Sequence, residues 1–402
     1  MFTKTTSLCL GVIATACIIN SNAIAQPCMP TLLGSAELEN DPEGIAGADS
    51  FVFVAVGNDG VRVIDAQDPS LPQIVTTIDT PGFAHDIVIA NDSLYIADGD
   101  AGIRIYSISD PANPVLLGQY SFPATPNIDI QSLVERNGML FVIDTKTGLK
   151  VLDVSSPMRP QLVGEDPDAP DPQLRASKIA IAHGTATVSY VRFNPNATPG
   201  VRLLNIINPA APVPVGWLET PGEPSGLAAI GATLFVGDFL NTTLSSYDIL
   251  DASSPLLMDT MDVFQIVDLS ISGNELYVQT KNEDLKVIDI HDPADLSEIG
   301  MIDTPSNTRC ISIENGQVLL SEGGLTVPFD REASMQIYDV SSCQSPVCAA
   351  DFTDDNTLDI FDVLGFVEAF TTSNPSADFT GEGIIDIFDV LGFIAAFNAG
   401  CP

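Results

Sequence analysis

Acidic and hydroxyl side chains recur at a fixed spacing near the end of this 402-residue chain. Segments 351–362 and 378–389 each carry oxygen-bearing side chains at positions 1, 3, 5, 9 and 12 of a twelve-residue loop. Carboxylates this close repel one another unless a cation lies among them, and Ca²⁺ takes six or more oxygen ligands. The sequence therefore predicts two Ca²⁺ sites. Their ligands would be Asp351, Thr353, Asp355, Asp359 and Asp362, then Asp378, Thr380, Glu382, Asp386 and Asp389, with Thr357 and Ile384 at position 7 contributing backbone carbonyls.

The elements that must position these loops are two helices. This spacing is that of an EF-hand loop, and each loop continues into an apolar segment. At helical spacing, one face of each segment is apolar and is predicted to be core: Ile360, Val363, Val367 and Phe370 in the first, and Ile387, Val390, Ile394 and Phe397 in the second.

Six further apolar residues in these segments cannot all share that face. They are Phe361, Leu364 and Phe366, with Phe388, Leu391 and Phe393. In so small a unit, such residues pack between the helices or form a docking surface. We expect a mixture, with Phe361, Leu364, Phe388 and Leu391 contacting a partner. A helical hairpin that binds no metal is the alternative interpretation.

Residues 46–340 repeat one pattern of apolar strands and polar turns. One strand of each copy ends at an equivalent residue, at intervals of about 40 to 50 residues: Asp65, Ser107, Asp153, Asn205, Asp248, Asp289 and Asp339. Four short strands in a repeat of this length are typical of a β-propeller blade. The sequence predicts an all-β, seven-bladed propeller followed by a small all-α module. A β-solenoid is the alternative.

The two ends of the repeat array complement each other. Segment 26–34 matches 110–118, the turn and outer strand of a blade, whereas the seventh copy lacks that strand. We therefore expect the N-terminal strand to complete the last blade and close the ring. The same alignment brings Cys28 close to Cys343, which predicts a disulfide between them.

The repeat motifs resemble a known family. Gly60-Val61-Arg62-Val63-Ile64-Asp65 and Leu149-Lys150-Val151-Leu152-Asp153-Val154 are similar to the LVIVD-type propeller repeats of exported bacterial proteins. The resemblance covers roughly residues 28–343. It implies a propeller fold and a surface location, and says little about chemistry.

The tail resembles a type I dockerin, in particular the planctomycete type that ends in Gly-Cys-Pro, here Gly400-Cys401-Pro402. This resemblance spans residues 348–402 and implies a calcium-folded module that inserts into a cohesin-like receptor. Cys348 and Cys401 bracket the module, which implies a second disulfide. Departures from the pattern are Thr353 and Thr380 in place of Asn or Asp, the long Glu382, and Asn356 in place of Gly.

The N-terminus is predicted to be a Sec-type signal peptide. Lys4 precedes an apolar stretch from Ser7 to Ile19, and Ala23-Ile24-Ala25 forms a small-residue cleavage site. Lipid attachment at Cys17 is the alternative. The expected domains are residues 1–25 for the signal, 26–346 for the propeller and 347–402 for the tail. No stretch is long enough for a transmembrane segment, so we expect a secreted or cell-surface protein.

A candidate ligand site lies where the inner strands begin, at the mouth of the propeller channel. Repeat alignment places Asp86, Asp129, Lys178, Gly226, Asp268 and Cys310 there, flanked by His85 and Arg309. This mixed charge could bind a cation or polar ligand or support acid–base chemistry. Alternatively, these residues cap strands and pair with one another. His85, His183 and His291 occupy different repeat positions and are not expected to converge, and Cys310 is expected to be a buried thiol.

These observations favour a non-enzymatic, monomeric, exported propeller that presents a surface to a protein or glycan and is attached to a larger complex by its calcium tail. The net charge of −38 argues against a nucleic-acid partner. The alternative is a polysaccharide-active hydrolase or lyase with a catalytic propeller. The sequence assigns no catalytic residue, because it marks no pair of carboxylates held across a cleft.

Overall fold

The computed structural model describes residues 30–48, 50–123, 127–166, 171–281, 285–302, 304, 308–314, 316–323, 333–341, 352, 360–372, 377, 385 and 387–399. Within these ranges the chain forms seven four-stranded antiparallel sheets, followed by two helices. The described part of the chain contains no helix with the length and apolar character needed to cross a membrane.

The chain begins with β1 (Thr31–Leu38) and then forms the blades in order. Each blade starts at the channel and runs outwards. The first blade consists of β2 (Gly44–Ala48), β3 (Phe51–Ala55), β4 (Val61–Asp65) and β5 (Gln73–Ile78), and the second of β6 (Asp86–Ala90), β7 (Ser93–Ala97), β8 (Ile103–Ser107) and β9 (Val115–Tyr120). The third blade consists of β10 (Ile130–Arg136), β11 (Met139–Asp144), β12 (Gly148–Asp153) and β13 (Gln161–Glu165). The fourth consists of β14 (Leu174–Ala182), β15 (Thr185–Arg192), β16 (Gly200–Asn205) and β17 (Val213–Glu219).

The remaining three blades complete the ring. The fifth blade consists of β18 (Pro224–Ile230), β19 (Thr233–Asp238), β20 (Thr243–Asp248) and β21 (Leu256–Asp262). The sixth consists of β22 (Ile266–Ser272), β23 (Glu275–Thr280), β24 (Leu285–Asp289) and β25 (Ser297–Ile302). The seventh consists of β26 (Thr308–Glu314), β27 (Gln317–Glu322) and β28 (Ala333–Asp339), together with β1. The inner strand of every blade contacts that of the next, including β26 with β2. The predicted seven-bladed propeller is confirmed.

The third strand of each blade ends in a polar turn, which explains why an Asp, Asn or Ser recurs at this position of the repeat. The side-chain oxygen of the last strand residue accepts a hydrogen bond from the backbone N–H two residues later, at 2.8–3.0 Å in six of the blades. Asp and Asn side chains form such turns readily. In the second blade, Ser107 Oγ accepts the corresponding bond from Ser109 N over 3.4 Å. The local chemistry of the turn thus fixes the end of each strand.

The ring closes through β1, as the sequence predicts. This strand pairs antiparallel with β28, from Thr31 opposite Asp339 to Leu38 opposite Ala333. Ala36 and Leu38 are buried in the core between the seventh and first blades, where Met335 is also buried. The predicted Cys28–Cys343 disulfide lies outside the described residues, as do Cys348 and Cys401.

The two helices of the tail are α1 (Ile360–Thr372) and α2 (Ile387–Ala399). Phe366 and Phe393 are buried between them, with parallel rings whose centroids lie 4.2 Å apart. Val363, Phe370, Val390 and Phe397 pack against this centre. The prediction that Val367, Ile387 and Ile394 belong to the core face is wrong, since they are 48%, 60% and 47% exposed. The helices turn Phe366 and Phe393 towards each other, and this leaves those three residues outside the contact.

Candidate functional site

The channel mouth is built from one equivalent residue of each inner strand. Strand pairing identifies this residue by its partner, which is the last or second-last residue of the second strand in most blades. Asp86, for example, lies opposite Ala97, and Asp268 lies opposite Gln279. In the fourth blade the position is taken by Lys178, whose backbone N–H donates to Ser189 Oγ. The complete ring is Gly44, Asp86, Ser132, Lys178, Gly226, Asp268 and Cys310.

Asp129 does not belong to this ring, so its predicted alignment is wrong. The structure places Ser132, opposite Ile143, at the equivalent position. β6 begins at Asp86 itself, whereas β10 begins at Ile130, two residues before the ring position, so the similar pair Asp129-Ile130 does not align with Asp86-Ile87. Asp129 lies in the preceding loop instead, where its Oδ1 is 3.4 Å from His85 Nε2. Hydrogen bonding to His85 lowers the pKa of Asp129.

The charged members of the ring interact across the channel. Lys178 Nζ lies 3.2 Å from Asp268 Oδ2, and Asp268 Oδ1 accepts a hydrogen bond from Leu269 N at 3.1 Å. Burial lowers the pKa of Lys178, but the carboxylates of Asp268 and Asp86 outweigh that effect and raise it to about 12. Lys178 therefore remains an ammonium group throughout the physiological pH range.

Asp86 is held mainly by backbone amides. Its carboxylate accepts hydrogen bonds from Ile87 N at 2.9 Å and from Leu133 N, in the next blade, at 3.1 Å. Burial raises the pKa of Asp86 to about 6, although Lys178 and these two amides oppose the shift. Asp86 is thus the group of the ring whose charge changes closest to neutral pH.

A second ion-pair cluster closes the rim between the seventh and first blades. Arg309 lies 2.6 Å from Asp41 and 3.2 Å from Glu43. Burial raises the pKa of Glu43, whereas the positive charge of Arg309 opposes the change. This cluster lies beside the gap between β26 and β2, so it supports the point where the ring closes.

These groups surround a cavity of about 530 Å³ at the channel mouth. His85, Lys178 and Arg309 line it, as the sequence predicts, together with three residues that the sequence analysis missed: Phe83, Phe239 and Lys281. Asp86, Asp129 and Asp268 are not among the described lining residues. Asp86 accepts hydrogen bonds from backbone amides, whereas Asp129 and Asp268 pair with His85 and Lys178, which do line the cavity.

The repeat does contain a signal for two of the missed residues. Phe239 follows β19 and Lys281 follows β23, and their backbone N–H groups donate to Glu223 and Gln265 in the same way. They therefore occupy one repeat position, directly after the second strand of the blade. Lys281 Nζ lies 5.3 Å from the centroid of the Phe239 ring, a distance at which an ammonium group is attracted to an aromatic face.

The remaining histidines and Cys310 do not add to this site. His183 lies in the turn between β14 and β15 and His291 follows β24, so the three histidines remain apart as expected. Among the described residues, no group of three His, Cys, Asp or Glu side chains is placed to hold a metal ion. Cys310 is 4% exposed, and burial raises the pKa of its thiol to about 12. The prediction of a buried thiol is confirmed.

Most of the predicted calcium ligands lie outside the described residues. These are Asp351, Thr353, Asp355, Thr357, Asp359, Asp378, Thr380, Glu382, Ile384 and Asp386. Asp362 lies in α1, but its side chain is also outside the described set. Asp389 lies in the first turn of α2 and is fully buried. The two calcium sites therefore stay predictions.

Two of the four predicted docking residues can be placed. Leu364 and Leu391 are each 55% exposed at equivalent positions of α1 and α2. The side chains of Phe361 and Phe388 lie outside the described residues. Between the helices, an apolar groove of about 160 Å³ is lined by four equivalent pairs: Val363 and Val390, Phe366 and Phe393, Val367 and Ile394, and Phe370 and Phe397.

Comparison with known proteins supports the propeller. The LVIVD repeat matches residues 43–80, 81–121, 136–165 and 266–304, which fall in the first, second, third and sixth blades. The structure of U3-55K is similar to this chain with a TM-score of 0.60 at 12% identity, over 77% of this chain and 98% of that one. The crystal structure of the computationally designed Ika8 protein is similar with a TM-score of 0.56 at 12% identity, over 77% and 99%.

No curated protein sequence matches this chain. The two structural similarities are at low identity and concern the fold alone. Taken with the strand pairing, the matches show that the chain carries LVIVD repeats on a seven-bladed β-propeller.

Proposed function

We propose that this chain is an exported, non-catalytic interaction protein, in which the propeller binds a protein or glycan and the tail attaches it to a cell-surface or extracellular complex. In this proposal, the tail is a calcium-dependent, dockerin-like module that binds a cohesin-like receptor. The observation that carries the proposal is the repeated apolar surface of the two tail helices.

That surface is the same in both helices. Leu364 and Val367 in α1 correspond to Leu391 and Ile394 in α2, and all four are between 47% and 55% exposed. They surround a core that is already filled by Phe366 and Phe393. Exposed apolar side chains in such a small module favour burial against a partner. A duplicated surface offers that partner two equivalent ways to bind.

Calcium is proposed because of the loops that precede the helices. Their oxygen-bearing side chains have the spacing that Ca²⁺ requires. When bound, Ca²⁺ would neutralise the acidic loops and allow both helices to pack.

The channel mouth supports binding more than catalysis. Its charged groups are held in pairs, with Lys178 beside Asp268, Arg309 beside Asp41 and Glu43, and His85 beside Asp129. Such pairs fix the positions of the side chains around the cavity, which suits a binding site. The alternative, a polysaccharide-active enzyme, is favoured by one observation, namely the pKa of about 6 at Asp86 close to the cavity.

Calorimetric titration of the full chain with Ca²⁺ tests the tail. We expect two ions to bind, and we expect chelation to remove the helical signal of residues 360–399 while the propeller stays folded. Replacing the first ligand of each loop, in an Asp351→Asn and Asp378→Asn variant, is expected to abolish binding. Helices that persist unchanged in chelator would contradict the calcium proposal.

Attachment is tested with a Leu364→Asp and Leu391→Asp variant on immobilised cohesin domains in calcium. We expect the variant to lose binding that the wild-type chain shows and that chelator releases. A matched control is Leu71→Asp on the propeller surface, where Leu71 is 68% exposed. Equal binding of the tail variant and the wild-type chain would refute the proposed docking surface.

The enzyme alternative is tested with a panel of glycans. If the wild-type chain cleaves a glycan and the Asp86→Asn variant does not, the propeller is an enzyme.

A further inference from the structure

We propose that the cavity at the channel mouth is a binding site for an acidic saccharide, a sugar ring that carries a carboxylate. The site consists of Lys281 and Phe239 on one side, His85 and Phe83 on another, and Lys178 and Arg309 between them. The inference deepens the proposed function because it names the ligand class of the propeller, and it does not depend on the tail.

The charged residues that line the cavity are mainly basic, whereas the chain as a whole is strongly acidic. The sequence contains 53 acidic and 15 basic residues, excluding histidine. Among the described residues that line the cavity, however, Lys178, Lys281 and Arg309 are basic and Glu43 alone is acidic. Glu43 is already paired with Arg309, at 3.2 Å. A concave site lined mainly by one sign of charge concentrates ligands of the opposite sign, which here is negative.

The nearby acids already have partners. Asp268 pairs with Lys178 and accepts a hydrogen bond from the Leu269 backbone amide, and Asp86 accepts hydrogen bonds from two backbone amides. Asp129 pairs with His85. These contacts account for the carboxylate oxygens without filling the cavity. The acids thus hold the bases in position around the cavity.

Among the described bases that line the cavity, Lys281 is the lysine or arginine without a described acidic partner. Within the described residues, its ammonium group has no carboxylate within 4.0 Å, and its one described side-chain contact is the Phe239 ring. Lys178 and Arg309, by contrast, already have acidic partners. A ligand carboxylate placed at Lys281 would gain a charge-assisted hydrogen bond without breaking an existing ion pair.

The aromatic residues indicate a sugar ring in preference to a small inorganic anion. Each aromatic ring lies beside a basic side chain. Phe239 lies under the ammonium group of Lys281, and the ring centroids of Phe83 and His85 are 4.5 Å apart. A pyranose ring has an apolar face of C–H groups that can pack on such rings, and its carboxylate and hydroxyl groups extend from the edge. Gln131 and Ser177 line the same cavity and add uncharged hydrogen-bonding groups for hydroxyls.

The size of the cavity agrees with this ligand. Its volume of about 530 Å³ is within the range of roughly 300 to 1,000 Å³ that is usual for small-molecule sites. That space is larger than a phosphate or acetate ion needs. We therefore expect one or two sugar residues to enter it, with the carboxylate at Lys281.

The test is calorimetric titration of the full chain with digalacturonic acid, with the neutral disaccharide cellobiose and sodium acetate as separate probes. We expect the acidic disaccharide to bind and the other two to bind at least about 10-fold more weakly. Lys281→Gln is expected to weaken binding of the acidic disaccharide by about 10- to 100-fold, as expected for loss of a charge-assisted hydrogen bond. Phe239→Ala is expected to weaken both disaccharides but not acetate.

The matched control is Lys286→Gln, which removes one positive charge from the third strand of the sixth blade, where Lys286 pairs with Glu298. We expect this variant to bind digalacturonic acid as the wild-type chain does. Equal binding of cellobiose and digalacturonic acid, equal effects of the two lysine variants, or no binding of the acidic disaccharide at millimolar concentration would each overturn the inference.

The same samples separate this inference from the proposed function. Binding in the presence of chelator is expected to be unchanged, because the site lies in the propeller. If the tail fails to bind calcium, the saccharide site is unaffected. If digalacturonic acid binds and is cleaved, the saccharide site stands and the proposal of a non-catalytic propeller fails.

Discussion

Lys178 in the fourth blade and Asp268 in the sixth blade form an ion pair of 3.2 Å, although the fifth blade lies between them. The fifth blade places Gly226 at the equivalent position, where no side chain blocks the path. A Cβ atom at Gly226 would lie 2.8 Å from Leu269 Cγ, so the position has little room for any other residue. The channel mouth is therefore fixed by contacts that skip a blade, as well as by packing between neighbours.

Asp86 provides a pH-dependent test of this arrangement. Because burial raises its pKa from 3.8 to about 6, its contribution to stability is fully present below pH 3.8 and is lost as the pH rises to about 6. We expect Asp86→Asn to gain stability relative to the wild-type chain across that window. A shift of this size corresponds to a gain on the order of 3 kcal/mol. Denaturant unfolding of both proteins at pH 4 and pH 7 measures it.

The control for this experiment is Asp68→Asn. Asp68 is fully exposed, and its hydrogen bonds with Ser70 lower its pKa, so its contribution is lost as the pH falls. The stability difference between this variant and the wild-type chain should change in the opposite direction. If the stability difference between Asp86→Asn and the wild-type chain does not change with pH, Asp86 keeps an ordinary pKa in the folded protein.

Closure of the ring through β1 is tested at Leu38. Its side chain is 1% exposed and packs in the core between the seventh and first blades. We expect Leu38→Ala to destabilise the propeller by about 2 to 5 kcal/mol, as is usual for a buried leucine. On the same strand, Leu32 is 54% exposed, so Leu32→Ala should change stability by no more than about 0.5 kcal/mol. Denaturant unfolding followed by the fluorescence of Trp217 compares the two variants, and equal effects would argue against a packed closing strand.

The tail core depends on the stacked rings of Phe366 and Phe393. We expect Phe366→Ala to cost about 3 to 5 kcal/mol, which is enough to unfold two helices of 13 residues each. Hydrogen exchange of residues 360–399 in calcium should then be fast, while the propeller strands stay protected. Leu364→Ala is the control, since Leu364 lies on the same helix and is 55% exposed. Protected helices in Phe366→Ala would show that another contact holds them.

The sequence alone predicted the number of blades, the ends of their strands and the closing role of β1. It could do so because each of these depends on local chemistry. Apolar runs such as Phe51–Ala55 mark strands covered on both faces, and residues such as Asp65 and Asp153 close the third strand through a turn two residues long. The missing outer strand of the last blade was visible as a gap in the repeat.

The composition of the channel mouth was only partly predictable. His85, Lys178 and Arg309 were found because they lie in or directly before inner strands, where the repeat can be aligned. Asp129 was misplaced because Asp129-Ile130 has the same residue types as Asp86-Ile87, whereas β10 continues so that Ser132 takes the ring position. The residue pair alone does not show how far a strand extends before the channel mouth.

Only the tertiary structure decided which residues meet across the ring and which helix face is buried. The proximity of Lys178 to Asp268, and of Lys281 and Phe239 to the same cavity, comes from the closure of seven blades around one axis. In the tail, Val367 and Phe366 are adjacent and equally apolar, yet Phe366 is buried and Val367 is exposed. The sequence determines which segments form strands and helices, because that choice depends on neighbouring residues. The contacts between those segments depend on how all of them pack together, and that is decided only in the folded chain.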